Sequence, residues 1–451
     1  MSDCDAYPVS GVQTDRTPPS IPPTVALIPW GNVVEDFLDT INVTLHDFCT
    51  EMTGGWLFGY VEALQSAGVR SVLICISRQV DKPVRATHVP TGATISFLPV
   101  PRIYRFLRRR MCNPYGWSAA EMFGEARGVR RLVLTAVRDT SFYLTTPLRL
   151  LAGELRRQHC SAVVCQEYEF PRFDACVLVG QVMRLPVFAS FQGGDYQRSR
   201  IERFVRPIAL RRSDGLVIAS CNEIQRVRKH YHVPAAKIAR IFNPLDLELY
   251  GHADREEARA ALHIPSEAKV VVWHGRISMH QKGLDVLLDA WQQVCRERPG
   301  QDLRLLLLGT GEDAEAFGRR MEDIPLRGIS WDNRYVHDRD LIRQYLGAGD
   351  LYVFPSRHEG FPVALVEAMA CGLPVVAADA QGVADILKEG ERSGGLVVPR
   401  GNAVALAAAT GRVLDDEAWG RELGQRARRR VEERFSLQSV GEQLRAFLLH
   451  G

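Results

Sequence analysis

The sequence predicts an α/β protein made of two tandem doubly wound domains, each a Rossmann-like parallel sheet with helices on both faces. Three observations carry this reading. At 451 residues the chain exceeds what one ordinary core encloses, so two domains are expected. Near-continuous apolar runs of strand length alternate with stretches of helical periodicity, the pattern of parallel strands buried on both faces. The runs also fall into two series, parted by a polar, turn-rich stretch at residues 243–268.

In the first series TVALIPW (24–30), SVLICIS (71–77), SAVVCQ (161–166), PVFASFQ (186–192) and GLVIAS (215–220) read as buried strands, with segments such as GYVEALQSAG as helices between them. In the second the strands are KVVVWHG (269–275), LRLLLLG (303–309), DLYVFP (350–355), LPVVAA (373–378) and GGLVVP (394–399). Residues 1–20 form a disordered tail on this reading, 21–250 the N-terminal domain and 251–432 the C-terminal domain. Open sheets of this kind take ligands outside the carboxyl ends of their strands, which puts the expected site in a cleft between the domains.

Composition fits a soluble globular chain, 46% hydrophobic and 24% charged. No apolar run reaches the roughly eighteen residues of a membrane span, and the start, MSDCDAYPVSGVQTDRTPPSIPP, is polar and proline-rich without a signal-peptide core. A cytoplasmic protein is the expectation. The ten cysteines are scattered; Cys160 and Cys165 are the closest pair and lack the second half of a metal site, so reduced thiols are expected. The net charge of +3 hides an asymmetry: residues 1–250 carry 30 Lys and Arg against 23 Asp and Glu, the remainder 26 against 30. The excess gathers at 102–112, 127–138 and 198–212, which suits a face toward anionic lipid or an anionic substrate, solvated helix faces being the alternative. No nucleic-acid partner is expected.

The chemistry-bearing motifs lie mostly in the second series. Its first strand ends at Gly275, and Arg276 and Lys282 follow in the loop before an amphipathic helix with Leu284, Leu287, Leu288 and Trp291 on one stripe. Two cations beside a helix N-terminus outline a diphosphate site. The next strand ends in GTGEDA (309–314), a formal dinucleotide fingerprint with Asp332 at ribose distance, but on the second strand of its domain; Gly309 there needs only a tight turn. DRD at 338–340 formally matches DxD and reads as a helix cap. In PSRHEGFPVALVEAMACGLPVVAADAQG (355–382) Glu359 falls in a loop after a strand and Glu367 about a turn into the next helix, which Gly372 closes. The free amides of Val363, Ala364 and Leu365 suit phosphate, while each carboxylate can hold hydroxyls of a sugar or a ribose.

GRISMHQKGLDVLLDA, LLLLGTGE, LYVFPSRHEGFPVALVEAMACGLPVVAADAQGVADIL and GGLVVP, in this order, resemble the donor domain of the family-four retaining glycosyltransferases of the GT-B fold. Glu359 and Glu367, with seven residues between them, match that family's pair of glutamates. The likeness is strong over about 240–440 and looser before, where it rests on Gly54 and Gly55, on SFQGGD (190–195) and on residues 220–250. The last residues, 433–451, resemble the family's final helix, which packs back on the first domain.

The resemblance implies an N-terminal acceptor-binding domain and a C-terminal nucleotide-sugar-binding domain. It implies that Arg276 and Lys282 hold the donor diphosphate, that Glu359 with Gly360, Phe361 and Val363 contacts the transferred sugar, and that Glu367 takes the ribose. Gly275 and Gly309 belong to the same donor side, Tyr335 and Val336 lie by the base, and Gly54 and Gly55 let a loop approach the phosphates. Many members have a histidine where this chain has Gln192, whose neutral amide binds but cannot titrate near neutrality. Asp195, Glu167 and Glu169 are the acids expected to line the acceptor side.

The activity implied is transfer of a hexose, with retention, from a nucleotide-sugar to a glycan, lipid-linked or small-molecule acceptor. No cofactor and no metal are expected, and the protein would sit in the cytoplasm, peripheral to the membrane. A nucleotide-sugar epimerase, a phosphorolytic enzyme or a non-catalytic nucleotide-sugar-binding subunit share the architecture, and fold alone does not choose among them.

Overall fold

The computed structural model describes residues 22–449 apart from 40–42, 54, 115, 117, 193–198, 252–253, 323–326, 335, 337 and 360. The chain divides into two compact units: one runs to Pro244 and takes in the chain again from Val440, and the other is Leu245–Ser439.

The first unit holds, among the described residues, a sheet of eight strands: β1 (Thr24–Ile28), β2 (Arg70–Ser77), β3 (Val84–Thr87), β4 (Thr94–Pro99), β5 (Cys160–Cys165), β6 (Val187–Ser190), β7 (Gly215–Val217) and β8 (Ile238–Ala239), in the order β3-β4-β2-β1-β5-β6-β7-β8. All pairs are parallel except β3 with β4. β1 is buried along its whole length, as its unbroken apolar run requires once helices cover both faces. β3 is an antiparallel edge strand with no buried residue, so it carries no apolar signal in the sequence. The helix Leu437–Leu449 packs on this unit: Phe447 lies 5.3 Å from Phe188 between ring centroids, and a Cβ on Gly441 would fall 1.9 Å from the carbonyl oxygen of Ala63.

The second unit holds six parallel strands: β9 (Lys269–His274), β10 (Leu303–Leu308), β11 (Ile329–Asp332), β12 (Leu351–Phe354), β13 (Val375–Ala378) and β14 (Gly395–Val398), in the order β11-β10-β9-β12-β13-β14. Its core joins Val271 and Trp273 of β9 to Leu284, Leu287, Leu288 and Trp291 of the helix Leu284–Glu297. The chain leaves β9 toward β10 on one side and returns to β12 on the other. The loops after β9 and β12 therefore diverge at a topological switch point, where open α/β sheets form their crevices.

Candidate functional site

The site of the second unit is built from those two loops. Gly283, at φ +64°, ends the short helix Met279–Lys282, and a Cβ there would lie 2.1 Å from the carbonyl oxygen of Pro355. Only glycine permits this approach. The approach brings the two loops within bonding range: the amides of Arg357 and His358 donate to the carbonyl of Gln281 (2.9 and 3.3 Å), and Arg357 grips Asp285 with two bonds of 2.7 Å. Burial alone would raise the Asp285 carboxyl, and the Arg357 bonds outweigh it and hold the group below its ordinary value.

Lys282 Nζ then meets both oxygens of Glu359, at 2.8 and 3.1 Å, with both side chains largely out of solvent. Glu367, on the helix Val363–Ala370, accepts from the Tyr250 hydroxyl at 2.6 Å and pairs with His274 Nε2 at 2.9 Å. Burial would raise the Glu367 carboxyl; the hydrogen bonds from His274 and Tyr250, with nearby positive charge, more than cancel it and the group stays below the usual carboxylate range. The Tyr250 phenol is pushed up, first by burial and then by the charge of Glu367. The two glutamates thus have separate partners, one a lysine and the other a histidine–tyrosine pair.

Arg276 stands apart from this core. Its side chain is 57% exposed, bonded to Gln281 at 2.9 Å and 3.8 Å from Glu312. Gly275 and Gly309 form turns: their amides donate to Leu308 and Asp332 carbonyls at 3.0 Å, and a Cβ on Gly309, at φ +134°, would strike the Gly275 oxygen at 1.9 Å. The GTGEDA segment buttresses the β9 loop, Asp313 Oδ2 accepting from the Met279 amide at 2.8 Å, while Asp332 pairs with Arg334 at 2.8 Å. Asp338 of DRD caps the helix Arg339–Gly347 through the amides of Asp340 and Leu341.

At the start of the Val363–Ala370 helix the expectation of free amides is corrected for two residues. Val363 donates to the Phe361 carbonyl at 2.9 Å and Leu365 to that of Pro362 at 3.2 Å, because Pro362 opens the helix with a tight turn. Ala364 and Phe361 are half-buried there, Val336 is half-buried in the loop after β11, and Gly54, Tyr335 and Gly360 lie outside the described residues. Gly55 begins the helix Gly55–Ser66 of the first unit.

In the first unit two of the acids expected to line the acceptor side, Glu167 and Glu169, are buried. Glu169 bonds Arg206 at 3.1 Å, meets Arg226 and lies near the Tyr231 hydroxyl at 3.4 Å. Burial raises its carboxyl even against those two arginines. Arg206, fully buried, also grips Asp174 at 2.7 and 3.2 Å, and Tyr143 donates to Asp174 at 2.8 Å. Glu167 accepts from the amides of Glu169 and Gln192, at 3.1 and 3.2 Å. The Gln192 amide is paired with Asn243, receiving from its Nδ2 at 2.8 Å and facing its Oδ1 at 3.2 Å, with Ser190 Oγ also 3.2 Å away. Asp195 is outside the described residues. Tyr250, His274 and Asn243 escaped the sequence reading; only His274 gave a signal, a polar residue at the carboxyl end of a buried strand.

Among the described residues no cluster of three His, Cys, Asp or Glu is placed to hold a metal ion, and no helix is long and apolar enough to cross a membrane.

Residues 268–416, which hold every element of the second-unit site except Tyr250, match the family model of glycosyl transferases group 1. A D-inositol 3-phosphate glycosyltransferase of Corynebacterium diphtheriae is 28% identical over 238 residues, covering 51% of this chain and 55% of that protein. The chain spans about half the length of this and similar curated relatives. Among solved structures, sucrose-phosphate synthase from Thermosynechococcus elongatus superposes with a TM-score of 0.61 at 21% identity, over 94% of this chain and 97% of that one. Anabaena Alr3699/HepE in complex with UDP gives 0.64 at 15% identity, over 93% and 98%, and the same protein has also been solved with UDP-glucose. The stretch of the second unit that carries Lys282, Glu359 and Glu367 thus matches the glycosyl transferases group 1, and the two α/β units have the GT-B fold of the solved neighbours.

Proposed function

We propose that this chain transfers a hexose from a nucleotide-sugar to a hydroxyl of a glycan, lipid-linked or small-molecule acceptor, with retention at the anomeric carbon. The observation that carries the reading is the pairing of Lys282 with Glu359 at the switch point, with Glu367 on the helix that follows. Departure of the nucleoside diphosphate builds negative charge, and preorganised cations stabilise it where water is partly excluded. Lys282 and Arg276 supply those cations and the reaction runs without metal or other cofactor. Glu359 releases Lys282 in part as the diphosphate arrives, and turns its oxygens to hydroxyls of the transferred sugar. UDP and UDP-glucose bound to the Anabaena neighbour support a donor of this class.

The test is a panel of nucleoside diphosphates and nucleotide-sugars scored by thermal stabilisation and then by sugar transfer or donor hydrolysis. A ligand at a hundred times its dissociation constant stabilises by about 2.7 kcal/mol, an easily measured shift. Stabilisation with no turnover for any donor tried would favour a binding subunit, toward which the closed Gln192–Asn243 pair leans.

The basic first unit supports a site of action at the inner face of the membrane. On the helix Arg102–Arg108 and just after it, Ile103 and Phe106 are each 56% exposed, Arg109 is exposed and Arg110 stacks over Phe106 at 3.6 Å. Arg105 and Arg108 are tied to Asp81 and Asp36. Substituting Arg109 and Arg110 by Ser, and leaving Arg108 with its buried partner, is expected to weaken sedimentation with anionic vesicles by about 1 kcal/mol per charge, less at high salt. Salt-insensitive or unchanged sedimentation would sink the membrane reading.

A further inference from the structure

Glu367 is held by two partners from outside its own helix. Its carboxylate has two oxygens, each with two acceptor directions. The Tyr250 hydroxyl occupies one direction on Oε1 and His274 Nε2 one on Oε2, at 2.6 and 2.9 Å. One direction on each oxygen is left over, and the side chain keeps 15% of its surface open. Two parallel acceptor positions match two neighbouring hydroxyl donors, as a vicinal diol presents them.

Both partners are themselves fixed. The His274 ring meets the Tyr352 ring edge-on at 5.4 Å, and the Tyr352 hydroxyl donates to the His274 carbonyl at 3.2 Å. His274 Nδ1 is buried with no hydrogen-bond partner, so the ring hydrogen is placed on Nε2, toward Glu367. The Tyr250 carbonyl accepts from Arg428 at 2.8 Å, and the same guanidinium donates to the Ala370 carbonyl, which ties Tyr250 to the last turn of the helix that carries Glu367. Arg339, at the start of the preceding helix Arg339–Gly347, adds a positive charge near both Glu367 and Tyr250.

We propose that Tyr250 and His274 are positioning residues that hold the Glu367 carboxylate in the rotation that accepts both ribose hydroxyls of the donor nucleotide. The inference rests on the reading above that Glu367 faces the ribose, and it goes beyond that reading by assigning what sets the site's preference for ribose over deoxyribose. Neither residue touches the nucleotide; each blocks the carboxylate from turning. Tyr250 lies outside the stretch that the family model matches, so this half of the device comes from the segment leading into the domain.

The experiment uses the full chain and the nucleoside diphosphate that stabilises it most. Dissociation constants are measured for that nucleotide, for its 2′,3′-dideoxy analogue and for inorganic pyrophosphate, with wild type, Tyr250→Phe, His274→Asn and Glu367→Gln. Wild type is expected to prefer the ribonucleotide over its dideoxy analogue by about tenfold or more, as a charged hydrogen-bonding group predicts. Each variant should lose most of that preference by weakening the ribonucleotide alone, with pyrophosphate affinity unchanged. Equal weakening of all three ligands shows a merely structural role and overturns the proposal, as does intact discrimination in Tyr250→Phe and His274→Asn. If Glu367→Gln loses discrimination while the other two keep it, positioning fails and the ribose reading stands. If no nucleoside diphosphate binds wild type, both fail together.

Discussion

Lys282→Ala is expected to lower the rate of sugar transfer about a hundredfold, on the order of 3 kcal/mol, while weakening nucleoside diphosphate binding by much less. The asymmetry follows from where charge develops: the diphosphate is more negative as it leaves than when it is bound, so a cation beside it acts mainly on the transition state. The substitution has a second effect that must be separated. Glu359 is 8% exposed and Lys282 is its ion-pair partner among the described residues, so Lys282→Ala strips a buried carboxylate of its cation and should also lower the thermal midpoint. The double variant Lys282→Ala, Glu359→Gln removes that unpaired charge and is expected to regain much of the midpoint without regaining the rate. Lys282→Arg should recover the rate only in part, because a planar fork replaces a compact point charge. Arg319 and Arg320 are the controls: Arg319 is an exposed partner of Glu315 within one helix, and Arg320 pairs with Asp289 at the surface. Their alanine variants should be nearly silent. Near-normal transfer by Lys282→Ala, measured with any donor that wild type turns over, would end the diphosphate assignment.

Arg206→Ala is expected to destabilise the first unit by about 3–5 kcal/mol, the cost of removing one partner from a buried ion network. Arg206 is fully buried and joins Asp174 and Glu169, so its loss takes a cation from Asp174 and leaves Glu169 with Arg226. Denaturant unfolding, with ligand-induced stabilisation of the second unit as an internal check, reads the effect directly. Arg206→Lys keeps the charge but not the forked geometry and should recover only part of the loss. A change below about 1 kcal/mol would mean that the network is not a major support of the fold.

Much of the fold was legible in the chain alone. All five strands expected in the second series coincide with β9, β10, β12, β13 and β14, because parallel strands buried on both faces write themselves as unbroken apolar runs. β11 was missed because it is an edge strand without a buried residue, and β3 for the same reason. β4 was missed although five of its six residues are buried, since Thr94 and Ser96 break its apolar run.

The sequence by itself determined the two-sheet architecture, the loops that follow β9 and β12, and the residue types in them: a lysine, an arginine and two glutamates at family spacing. Local pattern suffices there because strand periodicity, glycine turns and short spacings act within a few residues. Only the tertiary structure decided the partners. Gly283 against Pro355 brings Lys282 to Glu359, 77 positions apart, and Tyr250 and His274 reach Glu367 across 117 and 93. It also turned Glu169 inward to Arg206 and Arg226, where the sequence suggested an acid facing an acceptor. A carboxylate in a loop looks the same in sequence whether it faces water or an arginine. The difference lies in desolvation and in which cation the fold carries to it, and both are set by residues far away along the chain.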